Sequence, residues 1–249
     1  MTTQTGLEAM TSGAILSPFT RLRRLLEGIP PGHVRPIELT LGEPRETMPS
    51  FVLDKLKEAE AEYAKYPPIR GSDELRSAIS QWFARRYGPG TVVDPAREIL
   101  PLNGSREGLF YAALPAAGRK RVSGRPAVLL PNPYYAAYIG AALTVGAEPV
   151  YLNATPATAH LPDLDRLEAD PDLLSRTVAF YLCSPANPQG SVADAAYVRR
   201  ALDMARTHDF MLFFDECYSE IYTAEPPPGG LEVAAATPQR YANIVVFNS

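Results

Sequence analysis

From about residue 99 onward, short apolar runs alternate with longer stretches of helical periodicity. The runs are Ile99–Leu102, Ala127–Leu130, Pro149–Leu152, Val178–Cys183, Phe210–Phe214 and Ile244–Phe247. Helical patterns near 105–117, 134–146 and 193–208 lie between them, long enough to return the chain for a parallel neighbour. The alternation predicts βαβ units with right-handed crossovers, hence an α/β fold with a mainly parallel sheet and helices on both faces.

The chain before this region reads differently. Residues 1 to about 40 are punctuated by Pro and Gly and run into Leu39-Thr40-Leu41-Gly42-Glu43-Pro44, an arm entering a turn with no core of its own. Ser50 is placed to cap a helix through about Lys65. Ser72, followed by Asp73 and Glu74 where the helix dipole favours acids, starts a second helix through Tyr87. The uncharged stretch Ala127–Ala147 has the length of a membrane span. It is broken by Pro131-Asn132-Pro133 and carries tyrosines, which fits a buried strand, a turn and an amphipathic helix. Pro226–Gly230 reads as a surface loop. The sequence stops at Ser249 directly after an apolar run, where a domain rarely closes, and this reads as a fragment.

Composition narrows the class. Hydrophobic types make up 46% and charged types 21% of the 249 residues, enough for a sizeable core, and 17 Gly with 25 Pro fall short of a low-complexity chain. A net charge of −4 offers no basic face for nucleic acid or an anionic membrane, so a small molecule is the expected partner. Cys183 and Cys217 make no disulfide framework, and with His33, His160 and His208 scattered there is no zinc-type spacing. A reducing, cytoplasmic setting fits, and Met1–Ala14 lacks the basic and apolar regions of a secretory signal.

In an open parallel sheet, ligands bind beyond the carboxyl ends of the strands, so the residues after each apolar run are the ones to inspect. Asn103-Gly104-Ser105-Arg106 is a small-residue turn opening a helix, where backbone N–H groups and a hydroxyl can hold a phosphate; an ordinary strand-to-helix turn has the same composition. Pro133-Tyr134-Tyr135 brings rings that could stack on a planar ligand or simply pack. Ser184–Gly190 fixes Asn187 between prolines, as a binding group or a rigid turn. Asp215 ends a very apolar run, where a carboxylate is costly unless a cation or several donors meet it.

Together these residues carry a resemblance. Gly104-Ser105-Arg106, Pro133-x-Tyr135, Asn187-Pro188-x-Gly190, Asp215-x-x-Tyr218 and Phe247-Asn248-Ser249, in that order, resemble the fold-type I pyridoxal-phosphate aminotransferases of class I/II. The likeness runs from about Leu39 to Ser249. The stretches Gly71–Arg76, Asn103–Glu107 and Asp215–Tyr222 are most similar to proteobacterial N-succinyldiaminopimelate aminotransferases of lysine and diaminopimelate synthesis. The resemblance implies a fold-type I large domain over 46–249, incomplete at its carboxyl end, and an arm over 1–45 that belongs to an incomplete small domain.

It also implies roles for individual residues. Asp215 would pair with the protonated ring nitrogen of pyridoxal 5'-phosphate, which answers the cost of burying the carboxylate. Asn187 and Tyr218 would hydrogen-bond the ring 3-oxygen, Tyr135 would stack on the ring, and Gly104, Ser105, Arg106 and Ser249 would hold the phosphate. Tyr66 matches the family tyrosine that reaches the phosphate of a neighbouring subunit, implying a homodimer with shared sites, and Gly42 would lie by the substrate carboxylate. Gln189 replaces the usual threonine, with little expected consequence.

The family's Schiff-base lysine follows three residues after the serine matched by Ser249, and the second phosphate-binding arginine and the substrate-carboxylate arginine lie further on. None of Lys55, Lys57, Lys65 and Lys120 can be promoted to that lysine, so residues 1–249 are expected to be inactive alone. The resemblance implies amino transfer from glutamate to N-succinyl-2-amino-6-oxopimelate. Another amino-acid aminotransferase, a C–S lyase of the same fold, and a non-catalytic binding or dimerisation module remain open alternatives.

Overall fold

The computed structural model describes residues 18–37, 42–43 and 46–249. Of the turn at Leu39–Pro44, only Gly42 and Glu43 are described, and the segment Met1–Ala14 lies outside the described residues. The chain divides between Pro67 and Pro68 into two compact units.

The first unit contains helix α1 (Pro18–Leu26), inside the segment expected to be an arm; Arg23 and Arg24 in its last turn suit the helix dipole. Helix α2 spans Ser50–Glu58 and is followed by a 3-10 turn, Glu60–Ala64, rather than continuing to Lys65. Ser50 does not cap α2. Pro49, extended at φ −56° and ψ 134°, holds the cap position, so Ser50 is already helical.

The second unit opens with helix α3 (Asp73–Tyr87), whose cap is the expected one: Ser72 Oγ accepts from Leu75 N–H at 3.1 Å. Arg76, buried in its first turns, donates to the carbonyls of Arg70, Gly71 and Pro95 and pairs with Asp73, pinning the entry to α3. The predicted strand at Ile99–Leu102 does not form. Pro101 has no N–H to give a ladder, and Ile99 instead packs in the cluster of Phe83, Tyr87 and Val93. The predicted helix over 105–117 is broken at Ala112 into α4 (Ser105–Tyr111) and α5 (Ala113–Arg119). Pro115 supplies the reason: its ring clashes with the carbonyl four residues back, at Tyr111.

Beyond this the predicted alternation holds. Strand β1 (Ala127–Asn132), helix α6 (Ala136–Thr144), β2 (Glu148–Asn153), the short helices α7 (Leu164–Glu168) and α8 (Pro171–Arg176), and β3 (Thr177–Cys183) follow in turn. Helix α9 (Ala195–Thr207), β4 (Met211–Asp215), α10 (Gly230–Ala235) and β5 (Ile244–Phe247) complete the unit. Every strand pairing is parallel, in the order β2-β1-β3-β4-β5.

Side chains alternate across the sheet. Phe180 and Leu182 join Leu129, Leu212 and Phe214 beneath α7 to α10, while Tyr181 joins Val128, Leu130 and Phe213 beneath α4 to α6. Helices therefore cover both faces. The direction of winding reverses beside β1, since β2 lies on one side of it and β3, β4 and β5 on the other, which opens a crevice at the carboxyl ends of β1 and β3.

Candidate functional site

The carboxyl ends of β1, β3, β4 and β5 converge on this crevice. Two backbone bonds and one to a side-chain hydroxyl hold them together with the neighbouring loops. Ser184 N–H, just after β3, donates to the Asp215 carbonyl at 3.0 Å, and Glu216 N–H, just after β4, donates to the Phe247 carbonyl at 2.8 Å. Ser184 Oγ in turn accepts from Ala193 N–H at 3.0 Å, closing the loop over Asn187. Within that loop Gly190 N–H bonds the Ala186 carbonyl at 2.7 Å, and Gly190 sits at φ +72°, a conformation that favours glycine.

Asp215 lies at the end of β4, 4% exposed. Tyr138 Oη donates to its Oδ2 at 2.5 Å and Cys217 N–H donates to its Oδ1 at 3.1 Å. Both donors are neutral, and among the described residues no cationic side chain pairs with Asp215. A buried carboxylate with donors but no counter-ion is a site prepared for a cation that the chain does not itself supply.

The other predicted residues gather around it. Asn187 Nδ2 donates to Tyr218 Oη at 3.2 Å, which leaves the second amide proton of Asn187 and the hydroxyl proton of Tyr218 for one outside acceptor. Burial pushes the Tyr218 hydroxyl above the usual phenol range, helped by the neighbouring Cys183, Asp215 and Cys217. Tyr135 caps α6 half-buried, with Arg106 donating to its hydroxyl and the guanidinium 5.6 Å from the ring centroid. Ser105 and Ser249 lie near enough to the Cys217 thiol to pull its pKa down against the effect of burial, so the start of α4 comes close to the end of β5. Gly104 is the exposed residue immediately before α4.

Gly42 and Tyr66 belong to the first compact unit, both exposed, Tyr66 completely. Lys55, Lys57 and Lys65 are exposed residues of the same unit. Lys120 is far from the crevice: its Nζ donates to the carbonyls of Thr177 at 2.9 Å and His208 at 2.6 Å, the first opening β3 and the second preceding β4, at the opposite, amino ends of the strands.

Two further buried side chains support the crevice and carry no motif of their own. Tyr138 is the donor to Asp215, and its signal was a position three residues after Tyr135, on the same helix face. Glu216 is the other, a carboxylate 1% exposed that receives Tyr87 Oη at 3.0 Å and Gly230 N–H at 2.6 Å. Its signal was the step from Asp215, which turns consecutive side chains to opposite faces of the sheet.

The family pattern described as aminotransferase class I and II matches residues 34–249. Of the curated relatives, the LL-diaminopimelate aminotransferase of Moorella thermoacetica is 32% identical over 222 residues, covering 88% of this chain and 54% of that protein. The enzyme of the same name from Aquifex aeolicus is 31% identical, over 80% of this chain and 50% of its own length. A crystal structure of an aminotransferase from Neisseria meningitidis aligns with a TM-score of 0.86 at 35% identity, covering 94% of this chain and 59% of that one. The chain therefore belongs to the class I and II aminotransferase family, with the fold-type I arrangement of its pyridoxal-phosphate enzymes. Proteins of this family use pyridoxal 5'-phosphate. The chain spans about half the length of the curated relatives it matches.

Among the described residues no helix is long and apolar enough to cross a membrane, and no cluster of His, Cys, Asp and Glu is arranged to hold a metal.

Proposed function

We propose that residues 46–249 form the cofactor-binding domain of a pyridoxal-phosphate aminotransferase of diaminopimelate and lysine synthesis, with 1–45 an arm belonging to its small domain. The observation that carries the reading is Asp215, buried between two neutral donors and lacking a counter-ion. A protonated pyridine nitrogen is the cation that completes it.

The donor set around Asp215 fits the rest of the cofactor. Asn187 and Tyr218 converge with free protons suited to the ring 3-oxygen, and Tyr135 offers an aromatic face for stacking. Ser105, Ser249 and Arg106, with the backbone at Gly104, suit a phosphate. The bound cofactor supplies a sink for electrons released when the substrate α-carbon loses its proton. The chain's own residues fix the ring: Asp215 holds its nitrogen, Asn187 and Tyr218 its oxygen, and Tyr135 excludes water from one face. Gly42 lies by the substrate carboxylate, and Tyr66 reaches the phosphate of a second copy in a homodimer. Lys120, the lysine of the second unit, lies away from the crevice.

The relatives named LL-diaminopimelate aminotransferase support a substrate of that chemistry. The finer reading is N-succinyl-2-amino-6-oxopimelate as acceptor and glutamate as donor.

The test is titration of the protein with pyridoxal 5'-phosphate, followed by absorbance. Asp215→Asn is expected to weaken binding at least tenfold and change the spectrum, as loss of a charge-assisted bond requires. Unchanged affinity and spectrum would sink the reading. For the full-length enzyme, turnover with glutamate and the N-succinylated keto acid, against 2-oxoglutarate and LL-diaminopimelate, decides the substrate.

A further inference from the structure

We propose that Tyr138 is a positioning residue for the cofactor, its hydroxyl fixing the Asp215 carboxylate in the orientation that meets the ring nitrogen. The inference rests on the reading of Asp215 above and deepens it.

The geometry gives each oxygen of Asp215 one protein donor, Tyr138 Oη on Oδ2 and Cys217 N–H on Oδ1. An ionised carboxylate offers about four lone-pair positions, so room remains for one further, charged donor. Tyr138 is rigid. It is 1% exposed and stacks on Tyr181 with ring centroids 4.5 Å apart and planes 14° apart. Tyr181 is itself fixed by donation to the Leu109 carbonyl at 2.6 Å and by Phe213, whose ring lies 5.0 Å away. Helix α6 thus presents Tyr135 at its cap and Tyr138 one turn on, so a ring-stacking group and the donor behind Asp215 come from one rigid segment.

The chemistry follows from that placement. Burial, reinforced by the adjacent Asp215 carboxylate, holds the Tyr138 phenol protonated far above its ordinary range, so it donates throughout the working range of pH. A donor to the charged form of an acid favours that form. Without it, Asp215 Oδ2 is left with no protein donor in a buried setting, and the carboxylate is free to turn away from the ring nitrogen.

The test compares Tyr138→Phe, Asp215→Asn and the double variant in the full-length protein. Tyr138→Phe keeps the ring and its stack on Tyr181 and removes only the hydroxyl. It is expected to raise the dissociation constant of pyridoxal 5'-phosphate about tenfold and to shift the pH midpoint of the bound cofactor's absorbance. Added to Asp215→Asn, the tyrosine change is expected to do nothing more to affinity.

If Asp215→Asn weakens the cofactor and Tyr138→Phe does not, Tyr138 has no positioning role while the Asp215 reading stands. If both weaken it and the effects add, Tyr138 acts by packing alone and the proposal falls. If Asp215→Asn changes nothing, the parent reading fails first. Should Tyr138→Phe not fold, Tyr138→3,5-difluorotyrosine, a stronger donor of nearly the same shape, is expected to move the pH midpoint of the bound cofactor's absorbance, and an unmoved midpoint overturns the proposal.

Discussion

The Tyr87 hydroxyl donates to the Glu216 carboxylate at 3.0 Å, joining the end of α3 to the end of β4 across 129 positions of sequence. Gly230 N–H donates to the other oxygen at 2.6 Å, and Asn248 Nδ2, at the end of β5, donates to Ser219 Oγ at 3.2 Å. Glu216 therefore braces, from behind, the segment that carries Asp215, Tyr218 and Ser249.

The first expected outcome concerns this brace. Burial, opposed by the hydrogen bonds from Gly230 and Tyr87 and by the nearby Asn248, pushes the Glu216 carboxyl up from 4.5 to about 7. Protons bind it more tightly in the folded chain. Its contribution to stability is thus complete below about pH 4.5 and lost as pH rises through about 7. The full span corresponds to on the order of 3 kcal/mol. Urea denaturation of Glu216→Gln is expected to show a flatter pH dependence than the parent over this range. Parallel profiles would remove Glu216 from the account.

The same brace predicts the effect of Gly229→Ala. A Cβ there would lie 2.5 Å from Tyr87 Cε1 and 2.7 Å from Cζ, inside van der Waals contact with a buried ring. The ring cannot move away without giving up its bond to Glu216. A loss of about 1–3 kcal/mol is expected in the same denaturation experiment. A variant as stable as the parent would show that the loop before α10 yields easily.

The alternation of apolar runs made the sheet legible because a strand buried on both faces reads as a continuous run. Val178–Cys183 and Ile244–Phe247 were placed nearly to the residue. What misled was proline chemistry inside a favourable pattern. Pro101 empties a ladder position in Ile99–Leu102, and Pro115 breaks the helix begun at Ser105. Of the candidate site, Asp215, Asn187, Tyr218 and Tyr135 were visible because each follows an apolar run at the carboxyl end of a strand. Tyr138 and Glu216 were not singled out, since their importance comes from partners at long range in sequence, Asp215 for one and Tyr87 for the other.

The core makes a simpler test of the fold. Phe180 is fully buried in β3, the middle strand of the sheet, against the helices of one face. Phe180→Ala is expected to cost about 3–5 kcal/mol, a large part of the stability of an ordinary domain. Thermal unfolding reads it directly, and a cost under about 1 kcal/mol would contradict the packing described.

The thiol between Ser105 and Ser249 offers the most direct probe of the phosphate end of the site. Burial, followed by the charge of Asp215, pushes Cys217 up from 9.0 to about 11, and burial pushes Cys183 to about 12. The thiolate is the nucleophile, so at about pH 8 Cys217 is expected to react with iodoacetamide about a hundredfold more slowly than an exposed thiol. Cys183, buried beneath the loop that carries Asn187, is expected to be slower still. Because Ser105 and Ser249 both lie near Cys217, a ligand whose phosphate they hold is expected to cover the sulfur as well. Saturating pyridoxal 5'-phosphate is therefore expected to slow labelling of Cys217 further, while a denatured sample labels both cysteines at the rate of free thiols. Mass spectrometry of the labelled peptides distinguishes the sites. Labelling of Cys217 at an ordinary rate, unchanged by the cofactor, would show that the end of β5 does not close over the thiol.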